Sequence, residues 1–270
     1  MLANSTRDLS RSTTTCGRPF LLHRSTAQRY FDAQPPLPVL PATKLQLDLL
    51  VSAPACDLQL LTEVVLSDVG ATLQILRTSA QLRAGSDRRS GRLDDCVLHL
   101  GRSGLRRTFT LTLPPPQEPR VRAARQLWQR GQLTASLARI MAGRFARISP
   151  EQAHLAGLLH EIGRLPALLG WRVPGLDLGD AAAVGRALLR EWQLPAYLAP
   201  TLLPARGPKP AGASLPAILA TAWELANIID SDGKKPWAEL ERIVGSPLIS
   251  KPANPPSNPA VRAQHPFLVP

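Results

Sequence analysis

His160 and Glu161 are the neighbouring pair in this sequence best suited to chemistry. An imidazole beside a carboxylate can hold a hard or borderline divalent ion, because both groups are ligands for such metals. Two ligands do not complete a site, so at least one or two more must come from elsewhere in the chain. The other histidines, His23, His99, His154 and His265, are scattered. His154 shares a helix face with Glu161 and reads as a surface contact. On residues alone, His160 is a helix-end histidine with a local hydrogen bond, since a two-residue match is weak evidence for a ligand. No Gly-x-Ser-x-Gly, P-loop or dinucleotide fingerprint offers another catalytic centre.

The pair is carried by Ser149–Leu169, SPEQAHLAGLLHEIGRLPALL. Ser149 suits an N-cap, Pro150 suits the first helical position, and Gln152 sits where a capping box wants Glu or Gln. Leu155, Leu158, Leu159 and Ile162 form one apolar stripe at helical spacing. His160 points nearly opposite that stripe, with Glu161 about 100° further round, so the spacing predicts an exposed pair. Gly163 either ends the helix or lets another element approach closely.

Around this stretch the chain reads as all-α. Leu and Ala dominate the periodic segments, Val and Ile rarely alternate, and aromatic residues are only 4%, which disfavours sheets. Residues 1–36 read as a flexible basic tail and 247–270 as a proline-rich disordered one. Between them, 37–113 and 120–246 are helical parts separated by the break at Pro114–Pro116. A first helix from Ala42 places Leu45, Leu49 and Leu50 on one face. Asp57 or the preceding Cys56 caps the second helix and Asp68 the third, with Leu58, Leu61, Val65 and Leu66, then Leu73, Ile75 and Leu76, inward. Leu93–Leu105 is a helix with Val97, Leu98 and Leu100 apolar, ended by Gly101 or Gly104. TFTLTL (Thr108–Leu113) alternates like a strand, but an all-α chain offers it no partner, so it is assigned to helix. Val121–Arg147 is a long helix with Leu127, Leu133, Leu137, Ile140 and Met141 on its apolar side. Further helices cover Ala181–Trp192 (capped by Asp180), Pro195–Leu203, Leu215–Ile229 and Trp237–Val244.

Net charge is +12. It reads first as a solvated basic surface and second as a site for an anionic partner such as nucleic acid or an anionic second messenger. Arg83, Arg88, Arg89 and Arg92 are the anion-binding candidates within a basic loop. Cys16, Cys56 and Cys96 are odd in number and far apart, which disfavours disulfides and fits a reducing cytoplasm. No apolar run approaches the ~20 residues of a membrane span.

Several phrases resemble the HDOD (HD-related output domain) family, a degenerate branch of the HD superfamily. The central phrase "aflaGLLHdiGkl" stands here as AHLAGLLHEIGRL, matching at Gly157–His160 and Ile162–Gly163. LPVLPATKLQLDLL resembles the family's opening helix, Asp68 and Leu76-Arg77 a later segment, and Trp128 the Trp of "lWrhs". GDAAAVGRALLREWQLP, Gly179–Pro195, is close to "Gd.ae.Ga.LL..W.lP". The resemblance implies an HDOD-like helical bundle over 37–246, with an HD-like C-terminal helical subdomain.

It also implies where metal ligands would stand in an HD enzyme, and the chain departs there. The His of "lWrhs" is Arg130, the Asp of the His-Asp pair is Glu161, the His of "GdH" is Ala181, and the last Asp falls near Asn227. Of these candidates only His160 and Glu161 keep ligand chemistry, and Arg130 would place a fixed positive charge where a cation should bind. The expectation is therefore a site without catalytic residues, metal or cofactor. By resemblance, such a chain is a bacterial cytoplasmic module that binds a signalling protein. The alternatives are an HD-type phosphohydrolase acting on a nucleotide, and an arginine-rich binder of an anion.

Overall fold

The computed structural model describes residues 37–82, 92–115, 117–171, 175–202 and 214–230. Helices run in the order α1 (Pro41–Ser52), α2 (Leu58–Leu66), α3 (Val69–Leu82), α4 (Leu93–Thr108), α5 (Pro119–Ala142) and α6 (Pro150–Leu159). After α6 come a 3-10 turn at Ile162–Arg164, α7 (Leu165–Leu169), α8 (Ala181–Glu191), a second 3-10 turn at Ala196–Thr201, and α9 (Leu215–Asp230). The fold is all-α, as expected. Both tails, the segment Trp237–Val244 and the loop arginines Arg83, Arg88 and Arg89 lie outside the described residues.

Short polar side chains set the helix starts. Asp57 Oδ1 accepts from the amides of Gln59 and Leu60 at 2.9 and 3.1 Å, Ser149 Oγ from Gln152 at 3.2 Å, and Asp180 Oδ1 from Ala183 at 2.9 Å. Each satisfies donors that a first helical turn leaves unpaired. Proline opens α1, α5 and α6, where its missing N–H costs nothing.

TFTLTL corrects the sequence reading. Phe109–Leu113 is extended rather than helical. Val39 N donates to Leu111 O at 3.0 Å, and Leu113 N donates to Val39 O at 2.8 Å. The missing partner is the entry segment beside Pro38, which leaves Val39 extended and able to pair in parallel with Thr112.

Several apolar faces are also corrected. In α1 the buried side chains are Thr43, Leu47 and Val51, while Leu45 and Leu49 face solvent. In α5 the core stripe is Ala124, Leu127, Trp128, Gly131, Thr134, Ala135, Ala138, Met141 and Ala142, at helical spacing. Leu133 and Leu137 are only half-buried and Ile140 is exposed. Small residues take the inner face because α5 runs in close contact with α6: a Cβ on Gly157 would stand 2.7 Å from Ala135 Cα. Leu58, Leu98 and Ile229 are exposed as well. In α4, Gly101 does not end the helix. It adopts φ 59° and kinks it, and helix resumes to Thr108.

The 37–113 and 120–230 regions are joined by polar contacts centred on Asp68. Its Oδ1 accepts from Ala71 N and Trp128 Nε1, both at 3.0 Å, and its Oδ2 accepts from Leu40 N at 2.7 Å. Gln132 Nε2 donates to Ser67 O nearby. Asp68 is fully buried, and burial pushes its carboxyl above the ordinary range while the donors around it pull the other way.

Candidate functional site

α6 stops at Leu159, so His160 and Glu161 do not ride on a continuing helix. Ala153, Leu155, Ala156, Gly157, Leu158 and Leu159 are all buried, leaving α6 little outward face. The chain turns at His160 and tightens into the 3-10 turn Ile162–Arg164. That turn carries the pair inward: His160 is 3% exposed and Glu161 4%. The expected exposed pair is thus buried: His160 keeps helical φ/ψ of −60° and −26° and shares the all-round burial of α6, and Glu161 leaves the helix for the 3-10 turn. Gly163 supplies the close approach. A Cβ there would lie 1.7 Å from Ala181 O and 2.9 Å from Gly185 N, at the first turn of α8.

His160 Nδ1 lies 2.6 Å from Gly157 O. A carbonyl only accepts, so Nδ1 carries the proton and Nε2 presents a lone pair. Nε2 is buried with no hydrogen-bond partner among the described residues, and Glu161 Oε2 stands 4.0 Å away. Burial lowers the imidazole's affinity for a second proton, and the Glu161 charge only partly offsets this. Two arginines clasp the Glu161 carboxylate. Arg130 Nε donates to Oε2 at 2.9 Å, and Arg164 Nη1 makes an ion pair with Oε1 at 2.9 Å.

These residues do not fit an HD-type divalent metal. The available donors are one imidazole lone pair and a carboxylate whose two oxygens already face guanidiniums. A divalent ion there would sit beside two permanent positive charges. Among the described residues no group of three or more His, Cys, Asp or Glu side chains is placed to share an ion. Asn227 lies half-buried on α9, which packs on α5 and α6, and no described hydrogen bond joins it to His160 or Glu161. The structure thus brings Arg130 to His160 and Glu161 but not Asn227 into bonding contact with them.

Arg92 precedes α4 and pairs with Asp94 at 3.2 Å on the surface, an interaction worth little. His154 does not meet Glu161. Its Nε2 lies 3.2 Å from Leu66 O, because Glu161 falls beyond the end of the helix the two were expected to share. Sequence reasoning missed Arg164, although its spacing of three residues from Glu161 was a usable signal. It saw Asp68 as a cap and as a match to the family, not as the partner of Trp128. The bond to Trp128 spans 60 positions and leaves no local trace.

The HDOD domain profile matches residues 37–170. Among solved structures, the MmoQ response regulator from Methylococcus capsulatus is similar with a TM-score of 0.59 and 19% identity, over 80% of this chain and 98% of that one. A second MmoQ structure, of a fragment, gives 0.58 and 20%, over 79% and 94%. An HDOD domain protein from Geobacter sulfurreducens gives 0.32 and 20%, over 83% and 89%. At these identities the MmoQ likeness speaks for the fold. No curated protein matches the chain in sequence.

Proposed function

We propose that this chain, which belongs to the HDOD domain family, is a non-catalytic signalling module that works by binding another protein. The observation that carries this reading is the Arg130–Glu161–Arg164 clasp. It fills the would-be reaction centre with internal ion pairs and leaves the helical surface to do the work. The response-regulator name of the MmoQ structures supports a regulatory role. No described helix is long and apolar enough to cross a membrane.

One observation favours a second reading, an HD-type phosphohydrolase: the buried, unpartnered Nε2 of His160 beside Glu161. A single experiment separates the two. The purified full chain is incubated with Mn²⁺, Fe²⁺, Mg²⁺ or Zn²⁺, desalted, and analysed for bound metal beside His160→Ala. The expected result is no stoichiometric metal in either protein and no hydrolysis of nucleotide or phosphodiester substrates. One metal per chain, lost in His160→Ala, would overturn the non-catalytic reading.

A further inference from the structure

The extended segment Phe109–Leu113 has one side paired and one side open. Leu111 O and Leu113 N are taken by Val39, which leaves the N–H and C=O of Thr112 pointing the other way. No described hydrogen bond uses either of them, nor the N–H and C=O of Thr110. Thr110 is exposed, Thr112 is half-buried, and Leu111 is 41% exposed. An open edge of β-prone residues is a template for another extended chain unless something covers it.

Beside that edge lies an open cavity of about 330 Å³. It is lined by Leu111–Pro114, by Val121 on α5, and by Leu168, Leu169 and Trp171 at and just past the end of α7. Glu118 and Arg120 are the charged residues among the described lining; their signs oppose, and neither is ion-paired among the described residues. Apolar contact, not charge, therefore selects what enters. An extended chain laid along the edge would pair with Thr112 and turn alternate side chains to one face.

Pro38 also lines the cavity, and it is the second of the described residues. The chain that precedes Leu37 thus joins the fold at this cavity. Residues 1–36 lie outside the described residues, and their bulkiest apolar run is Phe20-Leu21-Leu22. We propose that Phe20–Leu22 docks here, with the Leu21 backbone paired to Thr112 and the side chains of Phe20 and Leu22 in the cavity. Residues 23–36 link that run to Leu37, and at about 3.3 Å per residue their reach of about 46 Å leaves room to turn back. Such a tether holds the run at an effective concentration on the order of millimolar. The contact covers the edge within one chain and does not depend on the function proposed for the His160 region.

The test is residue-resolved amide exchange, followed by NMR, on the full chain and two full-length variants. These are Phe20→Ser/Leu22→Ser and, as a control, Tyr30→Ser/Phe31→Ser. The Thr112 amide should exchange roughly tenfold or more slowly in the unaltered chain than in Phe20→Ser/Leu22→Ser, at every protein concentration. The Leu113 amide, bonded to Val39, should stay protected in all three proteins, and Tyr30→Ser/Phe31→Ser should match the unaltered chain. The proposal fails if Thr112 exchanges alike in the unaltered chain and Phe20→Ser/Leu22→Ser. It fails equally if Tyr30→Ser/Phe31→Ser loses as much protection. Protection that grows with protein concentration would overturn it in favour of a second copy, and protection seen only after another protein is added would overturn it in favour of a partner.

Discussion

At the scale of single residues, the buried pair is held by different forces on its two members. The Glu161 side chain sits in a nearly dry position with two guanidiniums facing its carboxyl group. Arg130 matters more than Arg164, since its side chain is 21% exposed against 50%, and screening weakens the outer pair. His160 is held neutral. Its second proton is disfavoured by burial, so the unfolded chain binds that proton more readily than the folded one. The linkage sign follows: stability is lost as pH falls below about 6.5, by up to about 1.4 kcal/mol per pH unit for each such histidine. His154 is shifted in the same direction by burial and adds to the slope. In urea titrations between pH 7.5 and 5, His160→Asn, which retains a donor for Gly157 O, should flatten the dependence without abolishing it. Identical slopes in both proteins would show that His160 does not titrate differently on folding.

At the scale of elements, the turn between α6 and α8 is specified by contact rather than propensity. The sequence allowed Gly163 either to end a helix or to admit a neighbour, and only the tertiary contact with Ala181 decides. Gly163→Ala should cost about 3 kcal/mol or more, because the added methyl meets backbone that cannot move aside as a side chain can. Gly101→Ala is the comparison. Nothing lies within 4 Å, but its φ of 59° with ψ 178° is a conformation nearly confined to Gly, so the cost is backbone strain of about 1–3 kcal/mol. Chemical denaturation of both variants checks the order, and a milder effect at Gly163 would refute the close-packing account.

The same contrast explains what could be read beforehand. Caps at Asp57, Ser149 and Asp180 act within three residues, and all were legible. The inner stripes of α1 and α5 were misread because large leucines draw attention, whereas close helix contacts choose Ala, Gly and Thr. Phe109–Leu113 was misread although its alternation was visible, because its partner lies some 70 residues earlier in the chain. In the site, the proximity of Arg130 was anticipated from the family phrase, while burial of His160 depended on the helices packed around α6.

At the scale of the whole molecule, Asp68 ties the two helical regions into one unit. Three donors converge on its carboxylate from the entry segment, α3 and α5. Removing the acceptor strands all of them in the interior, so Asp68→Ala should cost roughly 3–5 kcal/mol. Both regions should still unfold in one transition, with tryptophan fluorescence and far-ultraviolet circular dichroism coinciding. Two separated transitions in the unaltered chain would show that the regions fold independently. The Val39–Thr112 bridge has a mechanical consequence. Its two hydrogen bonds run in a parallel pair, so a pull on Leu37 along the strand loads them in shear. Part of the tension therefore passes across to Leu113 and on toward the start of α5, a short route from Leu37 to the helix that carries Trp128 and Arg130 beside the covalent route through α1.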